Sequence, residues 1–138
     1  MDQDELEGML IRHEGLRLKP YKDSYGNVTI GVGRNLDGKG ISEDEAKFML
    51  VNDLDECLAD LKDIFQGQFG LLPDSIQRVL MDMRFQLGYN GFRGFKRMIR
   101  ALKGNNLPEM IAQMENSAWY RQVPGRANEL IGMIEKFL

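Results

Sequence analysis

Cysteine, histidine and tryptophan occur once each in these 138 residues, and proline four times. With Cys57 as the sole thiol there is no internal disulfide and no metal-ligand cluster to assemble, so no cofactor is expected. No run of about 18 apolar residues is present, so no membrane insertion is expected. The opening Met-Asp-Gln-Asp-Glu is acidic where a secretory leader is basic and then apolar, which implies synthesis in the cytoplasm without a signal peptide. Internal repeats and low-complexity stretches are also lacking, which excludes solenoids and disordered arrays. What remains is 43% hydrophobic and 28% charged, enough apolar material for one domain with a core, or two small lobes sharing a helix.

Charge is uneven. Residues 1–70 carry 8 Lys/Arg against 15 Asp/Glu, a balance of −7, whereas residues 71–138 carry 10 against 6, a balance of +4. An anionic partner for the second half and plain solvated helix faces both account for this.

The periodicity sets the elements. Asp2 and Glu5 have capping-box form and open a first helix over about 2–13, with Leu6, Met9 and Leu10 at helical spacing and Gly15 as its stop. Two strands follow, about 17–22 and 27–32, joined by the turn residues Ser24-Tyr25-Gly26-Asn27. Asn35–Gly40 reads as a polar loop. Ser42 and Glu45 form a second capping box, and the stripe Ala46, Met49, Leu50, Leu54, Cys57, Leu58, Leu61, Ile64, Phe65 predicts a long helix over about 42–66. Cys57 lies on that stripe, which predicts a buried, unreactive thiol. Gly67 and Gly70 should end the helix. Ile76 to Leu87 makes another, closed by Gly88, with Tyr89-Asn90-Gly91 as a turn. Further helices are expected over 92–103, 108–117 and 126–137.

Residues 14–33 hold the chemistry. Glu14 falls on the last turn of the first helix, where the helix dipole disfavours negative charge; that placement suits an acid catalyst. Asp23 and Thr29 follow on the hairpin. Each has an ordinary explanation: a surface glutamate, a turn aspartate bonding its own backbone, and a β-branched strand residue. Together they supply the pair of acids that glycosidic cleavage requires, plus a hydroxyl to hold water. His13 is adjacent to Glu14, and adjacent helical residues do not face each other, so no dyad is expected. Gly31 and Gly33 allow close backbone approach by a ligand.

Order and spacing here resemble the catalytic stretch of the phage-type lysozymes, glycoside hydrolase family 24. Tyr21-Lys22-Asp23 with Thr29-Ile30-Gly31-Val32-Gly33 is similar to that family's strand pair. Phe85-Gln86-Leu87-Gly88 resembles its helix-ending motif, and Trp119-Tyr120 with Pro124 and Arg126 its C-terminal signature. The resemblance implies an α+β lysozyme-like fold: a small hairpin-containing lobe (about 14–45), a connecting helix (about 42–66), and a helical lobe (about 71–138 with the first helix). An active-site cleft would lie between the lobes. It implies a muramidase acting on peptidoglycan with inversion, using Glu14, Asp23 and Thr29 as catalytic residues. Gln86 and Gly31 would bind substrate, and Arg126 would support Glu14. Surface positions for Gln86 and Arg126 remain open alternatives, and Trp119 and Tyr120 are expected in the core.

A monomer acting at the cell wall is expected, and the same resemblance implies release by a holin or delivery in a tail assembly. The sequence departs from the family at Arg34, where histidine is common, and at Asp82, where an amide is usual. It is also short between Gly33 and Ser42, which trims the small lobe. A lysozyme-fold binding or assembly module with little catalysis therefore stands as the alternative. The cations Arg93, Lys96, Arg97, Arg100 and Lys103 admit a nucleic-acid reading, but negative net charge and no aromatic stacking surface argue for no nucleic acid.

Overall fold

The structure is a computed structural model and describes residues 1–138 throughout. It is α+β, as expected, with one three-stranded antiparallel sheet and eight helices. Two compact units divide the chain, Met1–Met49 and Leu50–Leu138.

In the first unit, α1 spans Gln3–Glu14. The Asp2 side chain accepts the Glu5 N–H at 3.1 Å to open it, and the Gly15 N–H closes it on the Ile11 carbonyl at 2.8 Å. The strands are β1 (Arg17–Lys22), β2 (Val28–Gly31) and β3 (Arg34–Asn35), with β2 in the centre. Register runs Arg17 opposite Gly31 and Tyr21 opposite Thr29, so β1 carries a bulge between Arg17 and Tyr21. Pro20 lies within that irregular stretch, and proline has no N–H to give a ladder.

β3 was not expected. Asn35 makes it possible by organising the segment read as a loop: its side-chain oxygen accepts the Gly38 N–H at 2.9 Å and its carbonyl the Lys39 N–H at 3.0 Å. Asp37 then accepts the Val28 N–H at 2.7 Å, covering part of the β2 backbone.

Helix α2 spans Glu43–Phe65 and has the reciprocal cap that Ser42 and Glu45 promised. Glu45 N–H reaches Ser42 Oγ at 3.1 Å, and Ser42 N–H reaches Glu45 Oε1 at 2.9 Å. Arg34 takes the same Oε1 at 2.8 Å and the Gly40 carbonyl at 3.3 Å, tying β3 to the start of the helix.

The second unit holds the apolar core. The remaining helices are α3 (Gly67–Leu71), α4 (Asp74–Arg93), α5 (Lys96–Lys103), α6 (Leu107–Glu115), α7 (Ala118–Gln122) and α8 (Pro124–Glu135). Leu61 and Phe65 of α2 enter the same buried cluster as Val79, Leu80, Met114 and Ile134. Cys57 is buried, as its place on the stripe predicted. The stripe's first half is not: Met49 and Leu50 are exposed.

Three places differ from the sequence reading. The long helix ends where expected, at Phe65, but the break falls on Gln66 with φ 52°, and a further helix, α3, starts at Gly67 directly after it. Tyr89-Asn90-Gly91 is helical rather than a turn, because Gly88 absorbs the break inside α4 with φ 77°, a conformation open to glycine. Helix α7, starting on a Ser117 side chain that accepts the Tyr120 N–H at 3.1 Å, carries Trp119 into the core.

One buried polar network lies beyond the apolar cluster. Arg84 Nε meets Asp60 Oδ2 at 2.6 Å, and Arg93 Nη1 meets the same oxygen at 2.7 Å. The two guanidinium groups hold the Asp60 carboxyl below its ordinary value, the Arg93 hydrogen bond being the largest cause.

Candidate functional site

Glu14 ends α1 with its side chain exposed and takes no ion pair. Its carboxylate lies over the β2–β3 turn: a Cβ placed on Gly33 would fall 2.9 Å from Glu14 Oε2. Gly33 has φ +65°, so the turn itself selects glycine there. The two glycines read as room for a ligand thus include one whose space is taken by the protein's own acid.

Asp23 sits at the foot of the hairpin. Its Oδ1 accepts the Tyr25 and Asn27 backbone N–H groups, each at 2.9 Å. Its own N–H reaches the Asn27 carbonyl at 2.9 Å. Hydrogen bonds to the charged form, that from the Asn27 backbone foremost, hold the Asp23 carboxyl below its ordinary value of 3.8. The group is therefore ionised under all ordinary conditions, and it also fastens the turn. The role of a turn aspartate bonding its own backbone is the one these bonds show.

Thr29 is the one buried residue of the first unit, at 3% exposure. Its hydroxyl donates to the Asn27 carbonyl at 2.9 Å. That direction matters, because with its proton committed the oxygen is left with lone pairs and can only accept from a water. Gly31 follows it at the end of β2 and lines a groove of about 580 Å³ with Ile30, Val32, Ile41, Phe48 and Met49. Asp44 and the Arg34–Glu45 pair complete that lining. The pairing draws Glu45 down to about 2, the Arg34 hydrogen bond being the main cause.

Three residues of interest belong to the second unit. Gln86 is exposed on α4, and its Oε1 accepts the Trp119 ring N–H at 2.9 Å. The amide nitrogen makes no hydrogen bond within the protein, leaving both its protons to donate. Trp119 is buried and packs edge-on against Phe95, so its expected core placement holds. Arg126 donates from Nε to Asp82 Oδ1 at 2.7 Å. The unexpected acid at position 82 is thus the partner Arg126 has.

The cationic series divides. Arg93 is committed to Asp60 and lies 3.6 Å over the Tyr89 ring. Lys96 and Arg97 instead border a second groove of about 580 Å³ beside Trp119 and Gln113. Sequence reasoning found neither the Gly33–Glu14 packing nor the Gln86–Trp119 bond. The Gly-Val-Gly spacing was the available signal for the first, and nothing in spacing marks the second.

Two acids on separate elements are what glycosidic bond cleavage requires. The chain belongs to the phage lysozyme family, whose model matches residues 11–136. Family membership places it among lysozymes, which are muramidase-like hydrolases. Probable T4-type lysozyme 1 of Dictyostelium discoideum is 28% identical, over 94% of this chain and 93% of its own length. The pre-baseplate central spike protein Gp5 of Enterobacteria phage T4 is 29% identical over 91% of this chain, which spans only 27% of Gp5. Peptidoglycan hydrolase gp36 of Pseudomonas phage phiKMV is 29% identical over 88% of the chain, which spans 14% of gp36. No helix is long and apolar enough to cross a membrane.

Proposed function

We propose that this chain is an N-acetylmuramidase, cleaving the β-1,4 bond between N-acetylmuramic acid and N-acetylglucosamine in peptidoglycan. Glu14 delivers a proton to the leaving oxygen. Asp23 stays ionised, opposes the positive charge that develops on the sugar and takes up the proton that the attacking water gives up, while Thr29 accepts a hydrogen bond from that water's other O–H. Water held that way keeps a lone pair free for the anomeric carbon. The free amide protons of Gln86 serve as donors to a glycan substituent, and Gly31 gives the sugar close access to backbone. The supporting observation is the contrast between the two acids. Asp23 is anchored by backbone N–H groups that favour its charge, whereas Glu14 is exposed and takes no hydrogen bond or ion pair.

Inversion follows from water attacking the face opposite the leaving group in a single displacement. NMR of fresh digests of soluble glycan strands tests both points. The first product should carry the α-anomer, and Glu14→Gln should lower turnover by about 10²–10⁴-fold, the usual worth of a positioned acid. A β-anomer as first product would exclude inversion, and an active Glu14→Gln would remove Glu14 from the reaction.

Two observations favour a second reading. The Asp23 Oδ1 and the Thr29 hydroxyl proton are both engaged within the hairpin itself, and one relative carries the name of a spike protein. A wall-binding or assembly module would retain peptidoglycan binding in a pull-down while leaving cell walls uncleared in a zymogram.

A further inference from the structure

The Glu14 side chain lies beside Gly33. No hydrogen bond or ion pair fixes its carboxylate, yet its side chain follows the Gly33 backbone closely. A Cβ at Gly33 would stand 2.9 Å from Oε2, 3.3 Å from Cδ and 3.5 Å from the Glu14 Cβ. These three atoms span the side chain from root to carboxylate. The glutamate therefore lies along a surface that exists only because residue 33 has no side chain.

We infer that Gly33 is a positioning residue for the acid, its bare Cα forming the seat that sets where the Glu14 carboxyl points. This rests on the reading of Glu14 as proton donor. A donor has to lie within hydrogen-bond reach of the oxygen it protonates. Misplacing a reacting group by about 1 Å costs on the order of 10²-fold in rate. Glu14 is a flexible side chain on the last turn of a helix, with several rotamers open to it in water. The hairpin turn removes those that would pass through Gly33. A methyl group at 33 displaces the end of that side chain rather than any backbone atom, so the disturbance goes to the acid and not to the sheet.

The experiment compares Gly33→Ala with Gly40→Ala and Glu14→Gln, all in the full chain. Gly40 provides the control, because it shares φ +65° while its added Cβ would meet only the Leu36 carbonyl, at 3.9 Å. Both alanine variants therefore carry left-handed backbone strain, and only one touches Glu14. Initial rates on soluble, uncross-linked peptidoglycan strands give kcat and KM, and thermal unfolding gives the midpoint of each variant. Gly33→Ala should lose about 100-fold in kcat with KM within about twofold of the parent, and its midpoint should match that of Gly40→Ala. Gly40→Ala should keep the parent's activity.

A Gly33→Ala enzyme as active as Gly40→Ala would overturn the inference. So would a rise in KM at constant kcat, since the methyl would then be obstructing the glycan. So would a midpoint well below that of Gly40→Ala, since the fold would then carry the damage. Active Gly33→Ala beside inactive Glu14→Gln overturns the seat alone, whereas active Glu14→Gln overturns the choice of acid and the seat together.

Discussion

Residues 1–49 and residues 50–138 are held together by different means. The larger unit contains every buried apolar side chain, from Cys57 to Ile134, whereas the smaller one buries only Thr29. In its place the smaller unit has short-range polar chemistry: Asp23 across its turn, Asn35 and Asp37 around β3, and Ser42, Glu45 and Arg34 at the start of α2. The proposed catalytic groups all lie on this second kind of framework. Local hydrogen bonds fix the direction of individual side chains closely, but each contributes only about 1 kcal/mol to global stability. Stability should therefore reside in one unit and chemistry in the other, and four experiments test that division.

The largest effect is expected at Asp60, where the side chain is 8% exposed and that of Arg84 is 7% exposed. Asp60→Asn leaves two guanidinium groups around a neutral partner, and denaturant unfolding should show a loss of about 3–5 kcal/mol. Hydrolytic activity of the remaining folded fraction should be unchanged. A loss below about 1 kcal/mol would mean that water replaces the carboxylate easily.

Helix α2 offers the next test within one element. Leu61 is fully buried and Phe48 is 68% exposed. Leu61→Ala should cost about 2–5 kcal/mol, and Phe48→Ala should stay within about 0.5 kcal/mol of the parent. Equal losses at the two positions would show that the first half of the helix is packed in solution.

Asp23→Asn separates turn from charge. An asparagine oxygen can accept the same Tyr25 and Asn27 N–H groups, so the hairpin's cross-strand NMR contacts should persist. Turnover should nevertheless fall about 100-fold with the loss of the negative charge. Retained turnover would leave Asp23 as a turn residue only.

The smallest effect is a matter of pH. Glu45 titrates at about 2 in the folded chain against an ordinary 4.5, so its contribution is complete above the ordinary value and is lost as pH falls toward the folded one. Carboxyl 13C shifts should therefore place the Glu45 midpoint near 2. A midpoint near 4.5 would mean that Arg34 does not hold it in solution.

The same contrast explains what could be read from the sequence. Reciprocal caps, the Gly15 stop and the hairpin were legible because their determinants lie within a few residues of one another. β3 was not, since it depends on how Asn35 and Asp37 fold back. Gly67 marked the end of the long helix to within two residues, but Gln66 supplied the positive φ and nothing in the spacing announced α3. The apolar stripe of α2 was read correctly as a pattern, but a pattern cannot say where the covering layer ends. At the candidate site the sequence offered residues but not their local bonds: which proton Thr29 spends, and what Gln86 accepts, are decided by geometry.

The Gln86–Trp119 bond has a practical consequence. Trp119 is the only tryptophan in the chain, so all indole emission originates from a ring whose N–H is tied to a proposed substrate residue. Fluorescence excited at the red edge of protein absorption is therefore a label-free optical readout of Gln86. Any saccharide that draws the amide away from the indole will change the colour of the emitted light, and titration of that change yields an affinity without modifying the molecule.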